Sequence, residues 1–239
     1  MKTLNCYMAI FVAAASLAAP TDDSWMAKIR PGHPRMFFNA ETWPQVKARA
    51  EGPARAARDA LLKRCDKYPD DPVCSGFVPV VFREVKTASG THKTTAATPI
   101  NSVKEWGPQA AECALAWRFT GERKYLVKAR KMLESSVAAY HAAYANRRAV
   151  NWYSTSRILA LCAYDWIWEG LTPDERKAII VPFVQHIEDI QPGKGKPAII
   201  RRDTGGIASG FYGVPSLLWY SGLAAFGDGY CDGLAKSHL

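Results

Sequence analysis

The sequence predicts an all-α protein built from antiparallel helical hairpins, and three stretches of the chain carry this prediction. Apolar side chains recur every three or four residues over 125–144, which is the spacing of one face of an α-helix. The preceding segment, 106–119, is patterned similarly and is followed by Gly121, which can adopt the left-handed conformation that ends a helix. The third stretch, 151–168, is apolar nearly all round, as expected of a helix buried on every side. Together they predict a layered helical body.

Composition predicts a globular protein with a sizeable core. Hydrophobic residues make up 48% of the 239 residues and charged residues 22%, and the formal net charge is +9. The basic residues are spread along the chain, with two small clusters at 147–148 and 201–202. They form either an ordinary solvated surface or a surface for a polyanion, namely nucleic acid, anionic lipid or acidic polysaccharide. Because the chain has no zinc-finger, RNP-type or basic heptad sequence, we expect no nucleic-acid partner.

The N-terminal residues 1–19 have the features of a cleaved secretory signal peptide. Lys2 gives a positive start, 8–15 is an apolar core too short to anchor the chain in a bilayer, and small residues follow at 16 and 18. We therefore expect a secreted or periplasmic protein whose domain occupies 20–239. No other run of about eighteen apolar residues predicts a membrane span.

Five cysteines follow the signal peptide. Cys65 and Cys74 flank a turn-rich segment and could close a small loop as a disulfide in an oxidising compartment. Cys113 and Cys162 lie within helical apolar patterns, which favours core positions. No cysteine or histidine spacing is typical of zinc, so we expect neither a metal nor a cofactor.

The first part of the domain is predicted to combine one short extended segment, one helix and a long irregular segment. Residues 33–38 are expected to be extended, with Met and Phe side chains directed inward. Thr42 is the predicted cap of a helix that continues toward Leu62 with a kink at 52–53. The segment 66–104 is rich in proline and threonine and is predicted to be loop-like, with one strand candidate at 78–85; it is either a functional loop such as a lid or a disordered insertion.

Two further helices are predicted in the second half of the chain. Thr172 and Glu175 have the spacing of a capping box, so a helix should begin there and continue to about Ile190. A glycine-rich loop is expected at 201–210, followed by a last helix from about 212 to 226.

Several motifs, in this order, resemble the heparinase II/III-like polysaccharide lyases over about 30–235. The resemblance implies an incomplete (α/α) toroid, with a C-terminal β-sandwich domain following it in family members. It also implies cleavage of uronic-acid glycosidic bonds by β-elimination and an acidic polysaccharide as partner. The motifs that carry it are the HPRMFF segment at 33–38 with Trp43-Pro44, the hairpin ALAW at 114–117 with Thr120-Gly121, the AYDW segment at 163–166 with LTPDER at 171–176, and YSGLA at 220–224 with GDG at 227–229.

β-Elimination sets the residue types that we look for. The substrate carboxylate must be neutralised, a base must remove the C5 proton, and an acid must protonate the leaving oxygen. The resemblance implies a histidine and a carboxylate near 205–212, and the sequence has neither there. Tyr212 is the candidate acid or base, with packing as the alternative. Arg201 and Arg202 are candidates for neutralising the carboxylate, with ordinary surface positions as the alternative.

A sugar subsite is the second candidate, around the start of the third helix. Asn151, Trp152, Tyr153 and Arg157 would supply an amide, an aromatic platform and a cation, although an Asn cap with two core aromatics explains the same residues. Trp106 is either a further stacking surface or a core residue.

Because the family's histidine and carboxylate are missing, we expect weak or no lyase activity from this chain as it stands. Two other function classes stay open. The first is a non-catalytic helical module that binds carbohydrate or serves as a scaffold. The second is a glycoside hydrolase toroid that uses the acidic pair Asp165 and Glu169. A buried Asp165 that accepts hydrogen bonds from neighbouring backbone is the simpler interpretation of that pair.

Overall fold

The computed structural model describes residues 23–77, 82–88, 90–95, 104–146, 155–190 and 214–239. Helices dominate these residues, which confirms the predicted all-α class. None of the helices in this part of the chain is long and apolar enough to cross a membrane. The predicted signal peptide, 1–19, lies outside the described residues.

A 3-10 turn at Asp23–Lys28 precedes two short helices, α1 at Trp43–Glu51 and α2 at Arg55–Lys67. The sequence predicted one kinked helix here; the chain instead breaks completely at 52–54, because Pro53 lacks an amide hydrogen. Thr42 occupies the N-cap position but makes no side-chain cap bond. Its hydroxyl instead accepts from the amide of Asn39, whose side chain binds the Thr42 amide in return.

The predicted αα-hairpin is confirmed. Helix α3 spans Gly107–Thr120 and α4 spans Arg123–Ala145, and the two pack side by side. Gly121 ends α3 with φ of 72°, the left-handed conformation that its lack of a Cβ permits. The apolar face of α4 is buried as its periodicity predicts, from Tyr125 through Met132 to Tyr140.

Helix α5, at Thr155–Ile167, lies at the centre of the described helices. Eleven of its thirteen residues are buried, and it packs against α3, α4 and the later helix α7. A 3-10 turn at Trp168–Gly170 extends it. This confirms the interpretation of 151–168 as a helix surrounded on all sides, for the part from 155 onward.

The threonine-rich part of 66–104 is not a loop. Strand β1 at Phe82–Thr87 and strand β2 at Gly90–Thr95 form an antiparallel hairpin in which Val85 is paired with His92. The prediction was wrong for β2 because threonine is β-branched and favours extended backbone, which outweighs the turn signals around it.

Helices α6 at Pro173–Asp189, α7 at Val214–Ala225 and α8 at Asp232–Ser237 complete the fold. The capping box of α6 is confirmed: the Thr172 hydroxyl accepts from the Glu175 amide at 3.2 Å, and the Glu175 carboxylate accepts from the Thr172 amide at 2.8 Å. Helix α7 packs on α5, α6 and α8. Helix α8 was not predicted, because six residues are too few to show periodicity.

Candidate functional site

Most of the residues that the sequence nominated for the site lie outside the described part of the chain. These are Tyr212, Arg201, Arg202, Asn151, Trp152 and Tyr153. Trp106 and Arg157 are described, and both are buried, with exposed fractions of 5% and 0%. The structure brings these two into one region, where α3, α4, α5 and α6 meet.

The predicted loop-closing disulfide is absent from the structure. Cys65 and Cys74 are both free thiols. Cys65 lies in the core beside Cys113, whereas the Cys74 sulfur lies 3.7 Å from the Ser135 hydroxyl and 3.8 Å from that of Ser136. The two cysteines are therefore directed at different parts of the protein. Cys113 and Cys162 are core residues, as predicted.

A cluster of buried polar side chains surrounds Tyr140 on α4. The Tyr140 ring stacks on the imidazole of His186 with a centroid separation of 4.9 Å and an angle of 13° between the planes. The Arg157 guanidinium lies over the Tyr140 ring at 5.8 Å. Glu105 and Ser156 are close enough to influence the Tyr140 hydroxyl. We call the following residues the Tyr140 cluster: Glu105, Trp106, Tyr140, Ser156, Arg157 and His186.

Close helix packing holds the cluster together. The backbone of Gly107 at the start of α3 approaches Ser156 at the start of α5 so closely that a Cβ on Gly107 would overlap the Ser156 carbonyl group. The amide of Trp106 donates to the Ser136 hydroxyl on α4 at 3.4 Å. From the other side, His141 is bound at 2.7 Å to the carbonyl oxygen of Pro182, which aligns α4 with α6 and so places His186 against Tyr140.

Several polar atoms of the Tyr140 cluster have no hydrogen-bond partner within the part of the chain that the structure describes. Buried polar groups in folded proteins are almost always hydrogen-bonded, and each unpaired one costs about 1–3 kcal/mol. Natural proteins leave such atoms unpaired mainly at functional or strained sites, so their concentration here makes the cluster a candidate site. The Ser156 hydroxyl is near that of Tyr140, but the two do not meet the geometry of a hydrogen bond. The unpaired atoms are Trp106 Nε1, Tyr140 Oη, Ser156 Oγ and both His186 ring nitrogens.

Burial sets the protonation states of the cluster. It lowers the pKa of His186 well below the ordinary value of 6.5, and the positive charge of Arg157 and the ring of His141 act in the same direction. Burial also raises the pKa of Tyr140 well above 10, reinforced by the charge of Glu105 and opposed by that of Arg157. At neutral pH the cluster therefore holds a neutral imidazole and a neutral phenol, and the same burial makes that imidazole a weaker base and that phenol a weaker acid than in water.

A second buried polar network surrounds His33, and both ring nitrogens of His33 are paired within it. Its imidazole is bound by Asp165 at 2.6 Å and by Asp228 at 3.0 Å, and it stacks on Trp168 with centroids 4.7 Å apart. Arg35 donates to Asp228 at 3.0 Å and to two backbone carbonyls near the end of α7. When His33 is protonated, its positive charge and that of Arg35 balance the negative charges of Asp165 and Asp228. This network fastens the N-terminal segment to α5 and to the turn after α7.

The same network decides the role of Asp165. Its carboxylate accepts from the backbone amides of Arg35 and Met36, at 2.9 Å each, as well as from His33. This is the backbone-bonded aspartate that the sequence favoured over a glycosidase acid. Glu169 is exposed and pairs with Arg118 instead, so the two carboxylates do not share a site.

A serine, a histidine and a glutamate also meet near the end of the chain. Ser221 Oγ lies 2.6 Å from His238 Nδ1, and His238 Nε2 lies 3.3 Å from a Glu188 carboxylate oxygen. The types are those of a hydrolase triad, but Ser221 donates its proton to the Leu218 carbonyl at 2.8 Å. A serine nucleophile must instead pass that proton to the neighbouring base. These contacts therefore fasten α8 to α6 and α7.

Comparison of the chain with models of protein families, with curated proteins and with solved structures finds no match in any of the three. No group of three or more metal-ligating side chains occurs among the residues described.

Sequence reasoning missed Tyr140 and His186. Tyr140 repeats with the apolar face of α4, so its pattern is that of a core residue. The signal that could have found the site was a histidine at helical spacing from Phe183 and Ile190 on the apolar face of α6, where a charged or polar side chain is unusual.

Proposed function

We propose that this chain binds a polysaccharide containing uronic acids and that the Tyr140 cluster is its site for β-elimination. The observation that carries the proposal is the stacked Tyr140–His186 pair, buried and without hydrogen-bond partners among the described residues, beside the Arg157 guanidinium. The high net positive charge of the chain, +9, complements a polyanionic substrate.

Each chemical requirement of β-elimination has a candidate in the cluster. The Arg157 cation neutralises the uronate carboxylate and stabilises the enolate that forms as the C5–H bond breaks. The neutral imidazole of His186 accepts the C5 proton. The neutral phenol of Tyr140 protonates the glycosidic oxygen as its bond to C4 breaks, which leaves a double bond between C4 and C5.

The resemblance to heparinase II/III-like lyases supports the same chemistry, together with the (α/α) toroid fold of that family. The consecutive helices α3–α4 and α5–α6 would be hairpins of an (α/α) toroid, with the Tyr140 cluster on its inner side. A structure of the protein bound to a uronate oligosaccharide tests this arrangement, since the sugar should lie against α4, α5 and α6.

Turnover is the direct test of function. β-Elimination creates an unsaturated uronate whose ultraviolet absorbance rises during the reaction, so alginate and heparan sulfate are supplied separately and the absorbance is followed. We expect Tyr140→Phe and His186→Gln each to lower kcat by about 100-fold or more. Tyr125→Phe is the matched control, because Tyr125 is also buried on α4 but its hydroxyl is bound to Asp66 at 3.0 Å; it should keep the wild-type kcat.

The outcomes separate the function classes. An absorbance that rises equally in wild type and Tyr140→Phe would refute the catalytic roles assigned to the Tyr140 cluster. Glycan binding without any absorbance change would identify a non-catalytic carbohydrate-binding module. Reducing ends released without the absorbance change would identify a glycoside hydrolase.

Export from the cell belongs to the same proposal, since such polysaccharides lie outside the cytoplasm. The composition of 1–19 supports it. N-terminal sequencing of the mature protein is expected to begin after residue 19, whereas an intact Met1 would contradict export by a cleaved signal.

A further inference from the structure

Phe37 combines two features that each cost stability. Its φ is 66°, in the left-handed region that bulky side chains rarely adopt, and 66% of its surface is exposed. A residue held in an unfavourable backbone conformation, with most of its side chain exposed, is a candidate for a functional role.

The surrounding structure holds Phe37 outward. The neighbours Met36 and Phe38 are buried, and the Met36 backbone is bound on both sides: its amide donates to Asp165 at 2.9 Å and its carbonyl accepts from Trp166 Nε1 at 3.0 Å. Because both flanking side chains are directed into the core, the ring of Phe37 is forced to the surface. The buried His33–Asp165 network thus fixes an exposed aromatic ring.

Other aromatic rings flank Phe37. Tyr220 on α7 stacks with it at a centroid distance of 6.4 Å and 16° between planes, and Trp166 meets it edge-on at 6.3 Å. The preceding residue on α7, Trp219, is 41% exposed and stacks on Trp25 at 5.3 Å. Helix α7 therefore carries two stacked aromatic pairs in succession, each including one ring open to solvent.

The size of this surface argues against a protein partner. Among the described residues, the large hydrophobic side chains that are exposed are Phe37, Val73 and Trp219. A stable protein interface needs about 800 Å² on each partner with a contiguous apolar centre, which two exposed rings do not provide. Flat rings fit one sugar ring each, since the apolar face of a pyranose stacks on an aromatic face, and the charge of +9 favours an acidic chain of such sugars.

We infer that Phe37 with Tyr220, and Trp219 with Trp25, form a stacking platform for pyranose rings of an acidic polysaccharide, separate from the Tyr140 cluster. The inference rests on the proposed function only for the acidic character of the glycan. The platform binds substrate and takes no part in proton transfer, so its loss should raise KM and leave kcat unchanged.

The test is the affinity of purified full-length protein for alginate and heparan sulfate hexasaccharides, measured by calorimetry. Phe37→Gly and Phe37→Ala should each weaken binding roughly tenfold, and Trp219→Ala should do the same. Phe37→Tyr keeps a stacking ring and should keep the wild-type affinity. Val73→Ala removes an exposed apolar side chain without a ring and should also bind as wild type.

The glycine and alanine variants separate binding from folding. Both lack the ring, but glycine adopts a positive φ without strain, so Phe37→Gly should melt about 2–4 °C above Phe37→Ala while losing the same affinity. Wild-type affinity in the Phe37 and Trp219 variants, or no binding of either hexasaccharide by the wild type, would overturn the platform. Weakened binding in these variants from a protein that never produces unsaturated uronate would refute the lyase chemistry and leave the platform standing.

Discussion

His33 and Asp165 lie 132 residues apart in the sequence, yet His33 Nδ1 and Asp165 Oδ1 are 2.6 Å apart in the protein interior. The same carboxylate accepts from two backbone amides of the N-terminal segment. One aspartate therefore joins the segment before the first helix to the central helix, α5. These hydrogen bonds of Asp165 also fix the position of the Phe37 ring.

Replacing Asp165 should strongly destabilise the protein. Asp165→Asn removes the charge that balances His33 and leaves the imidazole and two amides with a poorer acceptor, so we expect a loss of about 3–5 kcal/mol in the free energy of unfolding. Urea denaturation measures it. Glu169→Gln is the control, because its pair with Arg118 is partly exposed and should contribute less than about 1 kcal/mol. Equal effects in the two variants would contradict a structural role for the network.

The stability of the protein should depend on the protonation of His33. Burial alone would lower its pKa, but hydrogen bonds and charges from Asp165 and Asp228 outweigh burial and raise it above 6.5. Its contribution is therefore complete below pH 6.5 and is lost as pH rises through the folded-state pKa, by about 1.4 kcal/mol per pH unit within that window. Melting curves from pH 6 to 9 should show a decline that His33→Gln flattens; an unchanged slope would contradict the assignment.

Protonation of His186 should change the stability of the protein in the opposite direction to protonation of His33. Its folded-state pKa is lowered well below 6.5 by burial, so the unfolded state binds the proton more readily and stability falls as pH drops below 6.5. His186→Leu removes the titrating group, and its melting temperature should fall less than that of the wild type between pH 6.5 and pH 5. A parallel decline in the two proteins would show that other groups account for the acid limb.

Much of the fold could be predicted because its signals are local. Gly121 at a helix end and the Thr172–Glu175 box depend on neighbours within four residues, and both are confirmed. The site could not be predicted in the same way. His186 and Tyr140 lie on different helices, and their juxtaposition follows from close packing at Gly107 and Pro182 that no periodicity encodes. The sequence shows which residues are apolar, but it does not show which buried polar atoms lack a hydrogen-bond partner.

Gly107 should tolerate no side chain. A Cβ at this position would overlap the backbone carbonyl of Ser156, so Gly107→Ala must push α3 and α5 apart. We expect a loss of about 1–3 kcal/mol or more, together with lower kcat, since the shift displaces the Tyr140 cluster. Gly233→Ala in α8 is the control: nothing lies within 4 Å of the position that the added methyl group would occupy, and alanine favours helix, so stability should hold or rise. A Gly107→Ala protein as stable as the wild type would refute the close approach.

Lys128 should contribute more than an ordinary surface lysine. Its ammonium group is largely buried and donates to the carbonyls of Cys65, Asp66 and Tyr68 at 2.7–3.2 Å, where α2 ends. Lys128→Met should cost about 1.5–3 kcal/mol, because three carbonyls lose a charged donor. Lys131→Met, which removes an exposed pair with Asp71, should cost less than about 1 kcal/mol. Urea denaturation of both variants measures these losses, and equal losses would contradict the larger contribution of Lys128.

The free energy of unfolding of Tyr140→Phe tests the central claim most directly. If the Tyr140 hydroxyl is buried without a partner and kept for a ligand, removing it should leave the protein equally stable or about 1 kcal/mol more stable. Tyr125→Phe, which breaks a bond to Asp66, should lose about 1 kcal/mol in the same experiment. A Tyr140→Phe protein destabilised as much as Tyr125→Phe would show that the hydroxyl is bonded within the fold, and the Tyr140 cluster would then be a structural network and not a site.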